Sequence, residues 1–312
     1  MVDLTNLGID SVWFKDGGAP RRLLGVFAHP DDESFGPGAT LARYAAEGVE
    51  VHVLTVTDGA AGDLLTSLPA GVHSLAELRC RELQCAVQAL GATALHTLDY
   101  RDSGMEGTPA NQNPDCLLQA DKGHVIRQVV GIIRALRPQV VVTHDSTGVY
   151  FHPDHIRTWE LTTAAFEQAG NTARYADLPW EPYAPQYLYY TALPKSRVRT
   201  TIWIARLTLK DPRRWGRNGD IDLMRLGVPD AMIQARIDVR AYLQLRTEAG
   251  ACHRSQGGDR RTATLWNRLF QRRIAGVSKW DTFIQAYPAP RPGSPRKADL
   301  FAPALASERE AL

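Results

Sequence analysis

From Leu23 onward the sequence switches repeatedly between two periodicities, and this alternation restricts the fold more than any other feature of the chain. The short apolar run "LLGVFA" gives way to "GATLARYAAEG", whose apolar residues recur at helical spacing as far as Gly48, and "VHVLTVT" (51–57) returns to β-branched residues. A helix is predicted over 75–90, ended by Gly91; then come the strand "ALHTLDY", the helix "KGHVIRQVVGIIRAL" closed by Pro138, and the strand "QVVVTH". Strands this short and this apolar need cover on both faces, and helices between them let neighbouring strands run in the same direction. The expected fold class is therefore α/β: a Rossmann-like, mostly parallel sheet with helices on both faces. Another helix opens at Pro153, a favourable first-turn position, and "QYLYYTAL" (186–193) reads as a further strand.

After about residue 195 the pattern weakens. "RTTIWIAR" and "IQARIDV" read as strands and "RAYLQLRTEAGACHRSQ" as a helix, which predicts a smaller C-terminal α+β elaboration. The expected division is a core over 1–195, beginning with an N-terminal arm over 1–22, a cap over 196–285, and a Pro-rich tail over 286–312 in which the short "DLF" packs down.

A chain of 312 residues can bury a substantial core. Its 36 basic and 34 acidic side chains give a formal charge of +2, so no global field points to a nucleic acid or a membrane, and a small neutral or mildly polar substrate fits at least as well. Cys80, Cys85, Cys116 and Cys252 include no C-x-x-C pair; they read as small core hydrophobes in a reducing cytoplasm, not as a disulfide framework or a cysteine-built zinc site. The first residues carry neither the basic start nor the apolar run of a signal peptide, and nowhere do about 18 apolar residues run together. The expectation is a soluble cytoplasmic protein that is free to form a homo-oligomer.

In open α/β sheets, ligands bind where loops leave the carboxyl ends of the strands. Two such loops carry unusual chemistry: "AHPDDE" directly after the first strand, and "THDSTGVYFHPDH" directly after the strand at 139–143. A dinucleotide turn at the first position would need G-x-G-x-x-G, and Asp31 and Asp32 would repel a pyrophosphate there. Imidazoles combined with carboxylates suit zinc, and a hydrolytic zinc site takes three protein ligands, which His29, Asp32 and His155 would supply. The same donors accept Fe2+. Asp31 is left over to take a proton from water at the metal. A protonated His152, held in position by Asp154, would stabilise a developing oxyanion and help the leaving group depart.

The segments "AHPDDES", "RDSGM" with the following "GTP", and "GVYFHPDH" resemble the zinc-dependent N-deacetylases of the LmbE/PIG-L family, which act on N-acetylglucosaminyl compounds, and within it the members that serve mycothiol and bacillithiol biosynthesis. The likeness runs in order over 23–194, with a fainter echo in "AGACHRSQ" and "DLF". It implies the same three metal ligands, Asp31 as general base, and His152 as the oxyanion-stabilising residue oriented by Asp154. It further implies that Arg79 in "RCRE" binds substrate, that Asp102 in "RDSGM" grips sugar hydroxyls, and that Tyr150 is a mobile tyrosine over the reacting carbonyl. The implied activity is zinc-dependent removal of the N-acetyl group from a small-molecule amino-sugar substrate. An amidase of glucosaminyl thiol conjugates and a non-catalytic sugar- or nucleotide-binding module are the alternatives. Where relatives often carry an acidic residue in a "GExG" turn, this chain has "TDGAAGD".

Each residue also has a plainer reading. The acids of "HPDDE" could form a helix N-cap region, Arg79 an intrahelical pair with Glu82, Asp102 the shape of its turn, and Tyr150 a packing aromatic. His144 is expected to satisfy backbone groups and His253 to be structural. The basic stretch "RRTATLWNRLFQRR" (260–273) reads as a solvated helix face over an apolar stripe.

Overall fold

Strand β1 (Arg22–Phe27) is the middle one of five parallel strands in a seven-stranded sheet, with β2 (Glu50–Thr57) and β3 (Ala94–Tyr100) on one side and β4 (Val140–Thr143) and β5 (Tyr187–Thr191) on the other. These five strands are parallel, in the order 3-2-1-4-5. The computed structural model describes residues 20–215, 219, 221–258 and 279–302; the basic stretch 260–273, residues 1–19 of the arm and the end of the tail lie outside them.

Alternation of side chains along β1 sends Leu23 and Phe27 to one face and Leu24 and Val26 to the other, and each face has its own core. The first packs against Leu41 and Tyr44 of α2 (Gly38–Ala46), Leu83 and Val87 of α3 (Leu75–Ala89), and Ala249 of α8 (Leu243–Cys252). The second packs against Val129 and Ile133 of α4 (Lys122–Leu136) and Leu161 and Phe166 of α6 (Pro153–Ala169). A parallel sheet covered by helices on both faces is the class that the βα alternation predicts.

Two departures concern the C-terminal part. "RTTIWIAR", expected as a strand for its β-branched residues, lies in helix α7 (Lys195–Leu207), which starts after Pro194. Val198, Ile202 and Ala205 recur there at i, i+4 and i+7, and Val198 and Ile202 pack with Leu223 and Leu226, so tertiary contacts override local propensity. Strands β7 (Trp280–Tyr287) and β6 (Ala235–Asp238) join the main sheet: β7 pairs antiparallel with β5, and β6 with β7. They give β5 a neighbour on a side that would otherwise be a bare edge. In the tail, Leu300 of "DLF" is buried in the first core, and the Tyr44 hydroxyl donates to Asp299 while accepting from the Leu300 amide, at 2.8 and 2.7 Å.

The reading of the cysteines needs correction. Cys85 on α3 and Cys252 at the end of α8 form a disulfide. They are 167 residues apart, and only the side-by-side packing of α3 and α8 brings them together, so spacing alone carries no sign of it. Cys80 is exposed, and Cys116 alone of the four is a buried free thiol.

Candidate active site

Chain order reverses between β1 and β4, so the loops leaving these two neighbouring strands open onto one crevice. The first supplies His29, Pro30 and Asp31 and runs into the short helix α1 (Asp32–Phe35); the second passes through the turn α5 (Gly148–Phe151) to His152, the N-cap of α6. Two loops distant in sequence thereby meet, His29 and His155 being 126 residues apart.

His29 Nδ1 stands 3.1 Å from His155 Nε2 and 3.6 Å from Asp32 Oδ2, and His155 Nε2 is 3.3 Å from Asp32 Oδ1. Donors around a tetrahedral cation bound at 2.0–2.1 Å stand roughly 3.3 Å apart, so these atoms are spaced as ligands. The second nitrogen of His29, Nε2, lies between Asp154 Oδ2 at 3.3 Å and Asp102 Oδ1 at 3.4 Å. Two carboxylates there favour a proton on Nε2, so that a cation replacing the second proton of the ring would meet the Nδ1 lone pair on the side of Asp32 and His155. Three overlapping sets also cluster closely enough to hold a metal: His29, His152 and His155; Asp32, His144 and His155; and His29, Asp102 and Asp154. His144 is tied elsewhere, because its Nε2 accepts the Ala28 amide at 3.0 Å, the backbone role expected of it.

The charges explain why the cluster suits a cation. Burial alone would raise the Asp32 carboxyl, but His155, His144 and His29 hold it well below the usual range. Burial would likewise lower His29, yet Asp102, Asp154 and Asp32 hold its imidazole well above the ordinary value. His155, dominated by burial, is pushed down to about 4, which keeps its lone pair available. The carboxylates thus demand positive charge at one point. Without a metal a proton on His29 answers that demand, and a divalent cation between His29, His155 and Asp32 would answer it equally.

Asp31 sits beside this point at φ +123°, a conformation that L-residues rarely adopt. Burial raises its carboxyl to about 6 against the opposing pull of Arg79. Arg79 is buried at 3% exposure, and its guanidinium donates to Asp31 Oδ2 at 3.1 Å, to the Gly59 carbonyl at 2.9 Å and to the Pro30 carbonyl. The intrahelical pair with Glu82 does not form; Glu82 instead accepts from the Ser255 amide and hydroxyl at 2.7 and 2.6 Å. Arg79 therefore lies behind Asp31. Asp102 is buried as well, accepting from the Gly104 amide at 2.8 Å and facing His29.

Two expectations about the second loop are corrected. The Asp154 carboxylate does not orient His152: its Oδ2 accepts from the Ser103 amide at 2.8 Å and faces His29, and only the Asp154 backbone amide reaches His152, donating to Nδ1 at 3.2 Å. His152 is the extended N-cap of α6, and its ring accepts the amide two residues on as an N-cap side chain does, so its Nδ1 is engaged by backbone and not by the Asp154 carboxylate. Nor is His152 poised to be protonated, because burial and the neighbouring His29 and His155 rings push it down to about 2. Its Nδ1 accepts the Asp154 amide, which leaves Nε2 to carry the ring proton.

The Tyr150 hydroxyl is 3.5 Å from His155 Nε2, and its ring stands edge-on to His155 at 4.9 Å. Burial raises its phenol, so it stays a hydrogen-bond donor. Its neighbours Val149 and Phe151 hold φ of +64° and +68°, strain concentrated in the turn that covers the cluster. Sequence reasoning missed Glu33, which lies fully buried under Asp31 and pairs with His253 at 2.8 Å from 220 residues away. Only the faint echo at "AGACHRSQ" touched this contact.

Fold and site together define an α/β protein whose chemistry resides in a His/Asp cluster, able to hold a metal, at the switch point of a parallel sheet. A family model described as PIG-L, GlcNAc-PI de-N-acetylase, matches residues 24–166, which span both loops. The chain is 40% identical over 246 residues to the 1D-myo-inositol 2-acetamido-2-deoxy-alpha-D-glucopyranoside deacetylase of Thermomonospora curvata, covering 76% of this chain and 80% of that protein. It is 37% identical over 292 residues to the protein of the same name from Thermobifida fusca, covering 90% and 99%. The chain belongs to the PIG-L family. Its fold is also similar to that of an N,N'-diacetylchitobiose deacetylase from Pyrococcus horikoshii, with a TM-score of 0.58 and 21% identity over 85% of this chain and 83% of that one. Among the described residues no helix is long and apolar enough to cross a membrane.

Proposed function

We propose that this chain hydrolyses the N-acetyl group of an N-acetylglucosaminyl substrate whose aglycone is an inositol, releasing acetate and a free amine, with zinc held by His29, Asp32 and His155. The observation that carries the reading is the convergence of those three donors at 3.1–3.6 Å beside the partly desolvated Asp31. The inositol part rests on the names of relatives that match the chain over most of its length.

When bound, zinc supplies a Lewis acid that polarises the amide carbonyl and makes water more acidic. Asp31 accepts a proton from the attacking water, and a carboxyl raised to about 6 can hand that proton on to the departing nitrogen. The carbonyl carbon gains an oxygen, the C–N bond breaks, and the amine leaves with the proton. Neutral His152, through Nε2–H, and the Tyr150 hydroxyl serve as donors to the carbonyl oxygen as it gains charge. Asp102 and Asp154 hold the His29 ring, and Arg79 holds Asp31 in place.

The test is a substrate panel with acetate and primary amine both quantified: free N-acetylglucosamine, N-acetylglucosaminyl-inositol, N-acetylglucosaminyl-malate and a glucosaminyl thiol conjugate. Fastest release from the inositol compound is expected, with one metal per chain after zinc reconstitution. Release from the thiol conjugate alone would establish the amidase instead, and absence of metal binding would defeat the mechanism.

A further inference from the structure

The last residue of α8 and the three that follow it, Cys252, His253, Arg254 and Ser255, fasten that corner to the half of the molecule that carries Asp31 at three points. Cys252 is disulfide-bonded to Cys85 of α3, Ser255 donates twice to Glu82 of the same helix, and His253 reaches past α3 to Glu33. His253 and Glu33 are both completely buried, with Nε2 and Oε1 2.8 Å apart. The same Glu33 oxygen accepts from the Ser34 hydroxyl, while its second oxygen, Oε2, accepts the backbone amide of Asp31 at 2.9 Å. A continuous chain therefore runs from His253 Nε2–H through the Glu33 carboxylate to the Asp31 N–H.

That amide belongs to the residue whose backbone is most in need of support. At φ +123° and ψ −25° Asp31 occupies a region that persists only where surrounding contacts over-determine it. The hydrogen bond that its N–H donates to Glu33 holds it from below and the Arg79 contacts to Asp31 and Pro30 hold it from the side. A carboxylate accepting three hydrogen bonds across its two oxygens has a fixed orientation, and without His253 the Glu33 group would be a buried charge free to turn towards Ser34.

We propose that His253 is a positioning residue for the reaction: by locking the Glu33 carboxylate it holds the Asp31 backbone in the conformation that aims the Asp31 side chain at the reacting centre. His253 touches neither substrate nor metal ligand in this role, and the inference rests on the reading of Asp31 as the base. It also assigns the C-terminal elaboration a part in catalysis, since the base depends on a side chain from the far end of the fold.

The experiment compares zinc-loaded His253→Gln, His253→Asn, Glu33→Gln and Asp31→Asn with the parent, together with the double variant Asp31→Asn/His253→Asn. A glutamine amide can stand where ring Nε2 stands and still donate to Glu33, whereas an asparagine amide matches ring Nδ1 and falls short. His253→Asn is expected to lower kcat on the order of 10–100-fold, the usual consequence of displacing a catalytic group by about an ångström, with KM and zinc stoichiometry within twofold. His253→Gln should recover most of that loss, and Glu33→Gln should fall between. In the Asp31→Asn background, His253→Asn should have no further effect on the residual rate. Equal kcat for His253→Asn and the parent, or an undiminished effect of His253→Asn when Asp31 is already removed, would overturn the positioning role. Loss of zinc or of thermal stability in step with kcat would overturn it too, by showing a structural role alone. If Asp31→Asn itself retains turnover, the base assignment fails, and that result is separate from an indifferent His253 in an enzyme that does need Asp31.

Discussion

Replacing Asp154 by asparagine separates two accounts of the second loop. If its carboxylate served His152, as the order of residues in "HPDH" suggests, the substitution would slow turnover and leave metal affinity intact. In the structure it serves His29, sharing Nε2 with Asp102 at 3.3 and 3.4 Å. Asparagine keeps the volume, and its amide oxygen can still accept the Ser103 N–H, so the fully buried site should survive. What is lost is the negative charge that fixes the His29 tautomer and strengthens its other nitrogen as a donor. Removing such outer partners typically lowers metal affinity 10–100-fold. Asp102 remains on the same nitrogen, which puts the single variant at the low end, about tenfold or about 1.4 kcal/mol, and Asp102→Asn/Asp154→Asn near the high end. Competition of apoprotein against a fluorescent zinc chelator measures this directly. A Kd for Asp154→Asn within twofold of the parent, accompanied by a fall in kcat, would refute the reasoning and restore the pairing with His152.

Three further outcomes follow from features outside the metal cluster. Burial, followed by the neighbouring His96, pushes the His52 imidazole down to about 4; because the unfolded chain takes up that proton first, stability should fall as pH drops from about 6.5 towards 4. The cost approaches roughly 3 kcal/mol, and urea titrations of His52→Leu should show a flatter dependence over that window; an unchanged slope would exclude His52 as its source. The Cys85–Cys252 bond closes a loop of 167 residues, so Cys252→Ser should destabilise by about 2–5 kcal/mol, read as a lower Tm that reductant no longer changes. An Ala side chain at Gly59, where φ is +66°, would place its Cβ 2.6 Å from the Arg79 guanidinium carbon, so Gly59→Ala should cost about 1–3 kcal/mol and reduce turnover by displacing Arg79 from Asp31; parent-like kinetics would show that Arg79 is not needed there.

The parallel part of the sheet was legible because a strand buried on both faces must be apolar throughout and a crossover helix must show a 3.6-residue period, and both patterns are local. After residue 195 the strand β6 and the helix α8 were legible, but α7 and the joining of β6 and β7 to the main sheet were not, because what decides them is distant. The β-branched run in α7 becomes helical through contacts with Leu223 and Leu226, and β7 joins the sheet only because β5 presents an edge. The same division applies to the site. His29, Asp32 and His155 could be picked out because each stands in a compact motif at a strand end, and the structure brings them together. What their neighbours do could not be read: Arg79 and Asp102 were singled out as substrate-binding and His253 as structural, but that they face Asp31, His29 and Glu33, and that the Asp154 carboxylate faces His29, depends on contacts between distant parts of the chain.

Asp31 and Asp32 are adjacent and chemically identical, and the fold gives them opposite surroundings. Asp31 stands just before α1 at φ +123° while Asp32 opens the helix, and the Asp32 side chain turns to the imidazoles of His29, His144 and His155 while that of Asp31 turns to Arg79. Three imidazoles hold Asp32 well below the carboxylate range, which suits a group that must stay charged. Burial carries Asp31 up to about 6, against Arg79, which suits a group that must take a proton and then give it up. Such a division needs the backbone between the two residues to be stiff, because a small rotation at Asp31 would bring its carboxylate towards the same imidazoles and erase the difference. The hydrogen bond from its amide to Glu33, and the buried histidine behind Glu33, supply that stiffness, so the distinction between the two aspartates is made by a residue more than two hundred positions further along the chain.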